Sequence, residues 1–134
     1  MELKLGRLID HVHLRATDLK ATQDFYEAIL GVLGVPVNRT ADHLQADELW
    51  IDAGGPSTHV HLAFQAPDRA TVDRFHATGL AAGGRDNGAP GERPYHPGYY
   101  ACFLLDPDGN NIEAVHHGPA TRSADAVTVT ARTP

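Results

Sequence analysis

The chain has 134 residues, 42% of them hydrophobic and 21% charged, with 17 acidic against 11 basic residues and a net charge of −6. That length predicts one globular domain able to bury a working core, and the acidic balance excludes nucleic acid and anionic membrane surfaces, which need clustered Lys and Arg. A lone cysteine, Cys102, cannot close an intrachain disulfide, the first eight residues lack the apolar core of a signal peptide, and no run reaches membrane-spanning length; the expected location is the reducing cytoplasm.

Residues 9–15 alternate apolar and polar and read as a strand. Asp18 follows as a helix N-cap, and Thr22, Phe25, Tyr26, Ile29 and Leu33 keep helical spacing up to the Gly31 to Gly34 break. Three short extended pieces, 35–39, 43–46 and 49–53, lead to a joint at Gly54-Gly55-Pro56. A strand over 58–65 opens the second half. Asp68 caps a helix that carries Val72, Phe75 and Leu80 on one face and ends at Gly83-Gly84. Residues 85–98 hold three prolines and three glycines and read as a loop. Strands over 99–105 and 111–116 flank Asp106-Pro107-Asp108-Gly109, with Pro and Gly where a type I turn wants them. The tail from Pro119 is polar, and its alternation at Val127-Thr128-Val129 is either an edge strand or nothing. The whole reads β-α-β-β-β twice.

The halves repeat more than their elements. His11 is followed seven residues later by Asp18 and fourteen later by Phe25; His61, Asp68 and Phe75 repeat that spacing fifty residues on, without a gap. A strand–loop–helix unit repeated with a histidine at one strand position can bring two histidines together by pseudo-symmetry, which is a way to build a metal site. The nine histidines of the chain matter only if they converge in this manner.

These halves resemble the two modules of the vicinal oxygen chelate superfamily, which includes glyoxalases, small extradiol dioxygenases, fosfomycin-modifying enzymes and bleomycin-binding proteins. The likeness runs from about residue 9 to 118 and is carried by Asp10-His11-Val12-His13-Leu14 with Asp18-Leu19 and Phe25-Tyr26, by the stretch from His61 to Asp68, and by Leu105-Asp106-Pro107-Asp108-Gly109-Asn110-Asn111-Ile112-Glu113. The last is the most specific: a DPDG turn with Glu four residues after it. The resemblance implies an α+β fold in which two tandem β-α-β-β-β modules form a curved, half-open mixed-sheet cup with helices outside. Module one would span about 7–54, module two about 57–118, with a tail over 119–134.

In the family the metal ligands come from the first strand of each module and the last strand of the second. Those positions fall on His11, His61 and Glu113, which would hold one divalent metal ion (Zn, Ni, Co, Mn or Fe). Two neutral imidazoles and a carboxylate leave open positions. A substrate chelates there through adjacent oxygens, and the metal acts as a Lewis acid or activates oxygen. Glutathione-linked glyoxalases add a Glu late in module one. The matching stretch is Glu48-Leu49-Trp50-Ile51-Asp52, where Asp52 or water could serve. The open sheet edges of such modules imply a homodimer, with the site either within one chain or across two.

Around this triad, alternation puts His13 and His59 on the ligand face, as acid–base groups or as cup-lining residues bonded to backbone or water. Tyr99, with His96 and Tyr100 beside it, either donates to a bound oxyanion or walls the cup. Trp50 reads first as core and second as a surface for a flat substrate. Arg85 with Asn87 either holds a substrate carboxylate at the mouth or belongs to a solvated loop, and the 85–98 segment would cover that mouth. Cys102 lies on the strand face opposite Tyr99 and reads as buried and inert. His117 shares the parity of Glu113 and is either near the site or at an exposed strand end; His43 and His76 carry no motif.

Three function classes follow. The first is a metal-dependent enzyme of glyoxalase/lyase-like type on a small oxygenated metabolite, using Lewis-acid and proton-transfer chemistry, with extradiol-type dioxygenation as its variant. The second is a metal-free small-molecule or drug-binding resistance protein. The third is a regulatory relative without chemistry. The intact triad favours the first, and two modules rather than four favour proton transfer over dioxygenation.

Overall fold

The computed structural model describes residues 2–6 and 9–134, with residues 2–5 described by their backbone alone. The expected start of module one at residue 7 lies outside the described residues. Strand β1 (Glu2–Leu5) precedes module one, which runs β2 (Val12–Ala16), α1 (Leu19–Val32), β3 (Asn38–Arg39), β4 (His43–Ala46) and β5 (Leu49–Ala53). Module two repeats it as β6 (His61–Gln65), α2 (Arg69–Ala81), β7 (Arg85–Glu92), β8 (Tyr100–Leu105) and β9 (Asn111–His116). Both sheets have the same topology, β2-β5-β4-β3 and β6-β9-β8-β7, with one parallel pair and two antiparallel pairs each. The tandem-module mixed-sheet architecture is therefore the one expected.

Local chemistry sets both helices. Asp18 accepts from the Ala21 amide at 3.1 Å and Asp68 from the Thr71 amide at 2.8 Å, so each cap satisfies a donor the helix leaves orphaned. Helix α1 buries Thr22, Gln23, Phe25, Tyr26, Ile29 and Leu30. It stops where Gly34 takes φ +72°, a conformation that lets the Val35 amide return to the Leu30 carbonyl at 2.9 Å.

Helix α2 departs from expectation at one position. Leu80 is 41% exposed, and Gly79 is the buried residue after Phe75. Five residues on from Phe75 lies about 140° round the helix, off the core stripe, whereas four residues on stays on it. A Cβ at 79 would run into Leu104 of β8 and press on Ile29 of α1. Gly79→Ala should therefore destabilise the fold by about 1–2 kcal/mol by overpacking, although the same change on an exposed helix face stabilises. Chemical denaturation of the variant measures the sign.

Further strand assignments change, and the one left open at the tail is resolved. Residues 85–92 form β7, an edge strand, not a loop. Gly and Pro are tolerated there because an edge strand needs only half its ladder, and the ladder to β8 shifts register between Asp86 and Gly88 and again between Gly88 and Gly91. The tail alternation is a strand too: β10 (Val127–Thr130) pairs antiparallel with β1. Strand β6 starts at His61, not 58, because Thr58 bonds to Arg15 of β2 and the Val60 amide is taken by the Asn110 side chain at 2.8 Å.

One core runs through both modules, from Leu14, Phe25, Ile29 and Ile51 to Phe75, Leu104 and Ile112. The DPDG turn helps to lock them. Asp106 is 1% exposed; it accepts from the Tyr26 hydroxyl at 2.6 Å, Asn110 Nδ2 at 2.8 Å, and the Asp108 and Asn110 amides at 2.9 Å each. Asp108 accepts from the Thr17 hydroxyl at 2.6 Å. Among the described residues no helix is long and apolar enough to cross a membrane.

Candidate functional site

Each sheet buries one face under its helix, and alternation leaves His13, His43 and His61 on the other. In module two, Ile112 and Ala114 go under α2, so Glu113 between them faces the cup. It sits opposite Ala63 on β6 and Phe103 on β8. Glu113 is only 2% exposed, yet both carboxylate oxygens are engaged: His61 Nε2 lies 2.8 Å from Oε1, and the Tyr99 hydroxyl donates a very short hydrogen bond to Oε2. The Tyr99 ring packs edge-on against Tyr95, His96 and His117, and His96 Nε2 lies 2.9 Å from His117 Nδ1.

Burial, followed by the bond to Glu113 and its charge, pushes the Tyr99 phenol up to about 12. A folded pKa above the unfolded value near 10 means this contribution is complete below pH 10 and lost as pH rises towards 12. Tyr99→Phe should flatten the fall in stability between those values, measured by urea unfolding across alkaline pH. Buried Tyr26 is raised as well, by burial and by Asp106, so part of the slope should survive.

In module one, His11 stands just ahead of β2 with Nδ1 2.7 Å from Asp10 Oδ1, both side chains well exposed. His13 Nε2 lies 2.8 Å from Asp52 Oδ1. Arg15 Nε is 3.0 Å from the same oxygen, close enough to pair but not aligned for a hydrogen bond. The bond from His13, with help from the Arg15 charge, holds the Asp52 carboxyl below its usual range despite some burial. Trp50 is 37% exposed and stacks on His43, so the core reading of Trp50 is wrong: it is Leu49 and Ile51 that face α1, and alternation turns Trp50 to the cup. His11, His13, His43, Glu48 and Trp50 line a cavity of about 620 Å³.

The structure thus brings His61, Glu113 and Tyr99 together and sets His11, His13 and Trp50 together, as two groups. Among the described residues no three His, Cys, Asp or Glu side chains gather at one point. Asp52, the candidate fourth ligand, is committed to His13 and Arg15. His59 is exposed ahead of β6 and makes no hydrogen bond among the described residues. Arg85 sits opposite Leu105 on the edge strand, without a polar partner among those residues. Tyr100 lies on the helix side of its sheet, donating to Asp73 of α2 at 2.6 Å with Arg69 over its ring; parity with Cys102 explains why it leaves the cup. Cys102 is buried, its thiol pushed up to about 11 by burial. His76 bonds Asp86 at 2.8 Å, joining α2 to β7.

Comparison with known proteins decides the family. A family model described as Glyoxalase/Bleomycin resistance protein/Dioxygenase superfamily matches residues 8–114. The chain belongs to this superfamily. A glyoxalase/bleomycin resistance protein from Albidiferax ferrireducens is 32% identical, covering 82% of this chain and 98% of its own, with a TM-score of 0.69. A glyoxalase-related enzyme from Fulvimarina pelagi shares the superfamily fold at 20% identity over 96% of this chain and 100% of its own, TM-score 0.69. A lactoylglutathione lyase from Agrobacterium tumefaciens shares it at 21% identity over 83% and 94%, TM-score 0.59. No curated protein matches the chain. The DPDG turn leads into β9 and places Glu113 three residues into that strand, on the cup face.

Proposed function

We propose that the chain is a metal-dependent vicinal oxygen chelate enzyme of glyoxalase/lyase-like type, acting on a small oxygenated metabolite, with each site drawn from two copies of a homodimer. The supporting observation is the buried Glu113 carboxylate held against His61. Burying a carboxylate costs several kcal/mol unless it is compensated; Tyr99 compensates one oxygen, and the other meets an imidazole that is 53% exposed. A nitrogen and a carboxylate oxygen so placed suit Zn, Ni, Co, Mn or Fe(II). His11 would complete the set from module one of the partner copy. Strands β2 and β6 each end a sheet with one edge lacking a ladder among the described residues, and such edges invite association.

A bound metal would supply Lewis acidity to adjacent substrate oxygens. The remaining work falls to side chains. Asp52 accepts from His13 Nε2–H, which leaves Nδ1 as the lone-pair nitrogen to take a substrate proton. Tyr99 keeps Glu113 in one orientation. A second reading, metal-free enclosure of a ligand, has one observation in its favour: Glu113 is already satisfied by His61 and Tyr99. Elemental analysis of untagged protein separates the two. Near one divalent ion per chain, removed by chelator together with turnover, supports the enzyme; metal-free protein whose ligand binding ignores chelators supports enclosure.

A further inference from the structure

We propose that Trp50, backed by His43, is a stacking platform that makes this site select a planar aromatic substrate, neutral or cationic, over a glutathione conjugate. The inference rests on reading this face as the substrate site. The register carries it. His13 and Ala63 are equivalent by the fifty-residue repeat; in the two parallel pairs Trp50 lies opposite His13 and Glu113 opposite Ala63. Trp50 therefore holds in module one the position that the carboxylate Glu113 holds in module two. Where pseudo-symmetry would place a fourth ligand, the chain places an indole.

That indole is shaped for contact. It remains 37% exposed between Leu49 and Ile51, which are buried. Its ring lies parallel to His43, with centroids 4.1 Å apart and planes 13° apart, and His43 Nδ1 is 3.1 Å from Thr40 Oγ1, which holds the imidazole plane. An indole covered on one side by a fixed ring offers its other face to a flat partner. The cavity of about 620 Å³ is of the size that takes a small molecule. It also holds His11 and His13, so one ligand can lie on Trp50 and reach the reacting end. The described lining that module one supplies includes Asp10 and Glu48 and no Lys or Arg, so this face offers the two carboxylates of a glutathione conjugate neither a guanidinium nor an ammonium.

Calorimetric titration of the full chain tests this with 2-naphthol, its saturated counterpart decahydro-2-naphthol, 9-aminoacridine and S-lactoylglutathione, each with and without chelator. The expected result is that 2-naphthol binds about tenfold tighter than its saturated counterpart, the scale of a good ring stack, that 9-aminoacridine binds at least as tightly, and that S-lactoylglutathione binds more weakly than either. Trp50→Ala should erase the planar preference and Trp50→Phe should keep most of it, with circular dichroism confirming both folds. Equal binding of planar and saturated probes, absence of binding by both planar probes, an unchanged preference in Trp50→Ala, or tighter binding of S-lactoylglutathione would each overturn the proposal. A planar preference in protein that retains no metal would leave the platform standing and overturn the enzyme reading instead.

Discussion

Asp106→Ala is expected to cost about 3–4 kcal/mol of stability and to lower the melting temperature by about 10 °C, the largest effect of any single change away from the site. The carboxylate is buried at 1% exposure and receives four hydrogen bonds. Its removal strands the Tyr26 hydroxyl, the Asn110 amide and two backbone N–H groups, and buried donors without partners cost about 1–3 kcal/mol each before relaxation. Tyr26→Phe removes only one donor and should cost about 1 kcal/mol. The Tyr26–Asp106 bond joins α1 to the turn of the other module across 80 residues of sequence. A double-mutant cycle by urea unfolding should show strong coupling, since the two groups share one bond.

His61→Ala should reduce metal retention and turnover at least 100-fold while leaving the chain folded, because the imidazole is half exposed and water can take its place on Glu113 Oε1. Glu113→Ala should abolish both and also destabilise by about 1–3 kcal/mol, since the Tyr99 hydroxyl loses its acceptor. The sharper measurement mixes two inactive variants. His11→Ala keeps module two intact and His61→Ala keeps module one intact. If a site is drawn from two copies, a mixture refolded together should recover about one working site in each mixed dimer, so turnover should return to about a quarter of the native value for random pairing. A site confined to one chain predicts no recovery at any ratio. The readout is metal content and turnover of the mixture against each variant alone.

The elements most readable from the chain were those built by neighbours. Asp18 and Asp68 cap the helices through residues three positions on, the hairpin strands at 43–46 and 49–53 follow from alternation, and the DPDG turn closes through bonds within four residues. The fifty-residue repeat is matched by a repeated strand order, whereas the superfamily resemblance, not a spacing, implied the architecture and named His61 with Glu113. What only the tertiary structure decided depends on partners distant in sequence. Position 79 has room only for Gly because Leu104 and Ile29 fill the space beside it. Residues rich in Gly and Pro became β7 because an edge strand tolerates broken pairing. Asp106, a turn residue by its sequence, is a bridge between modules because Tyr26 folds down on it. Trp50 faces the cup because its neighbours supply the apolar area that α1 buries, and only the pairing of β2 with β5 shows that it stands where module two has Glu113. Local chemistry specifies elements and the alternation that picks their buried face; which partner that face meets is set when the long loops close and strands distant in sequence pair.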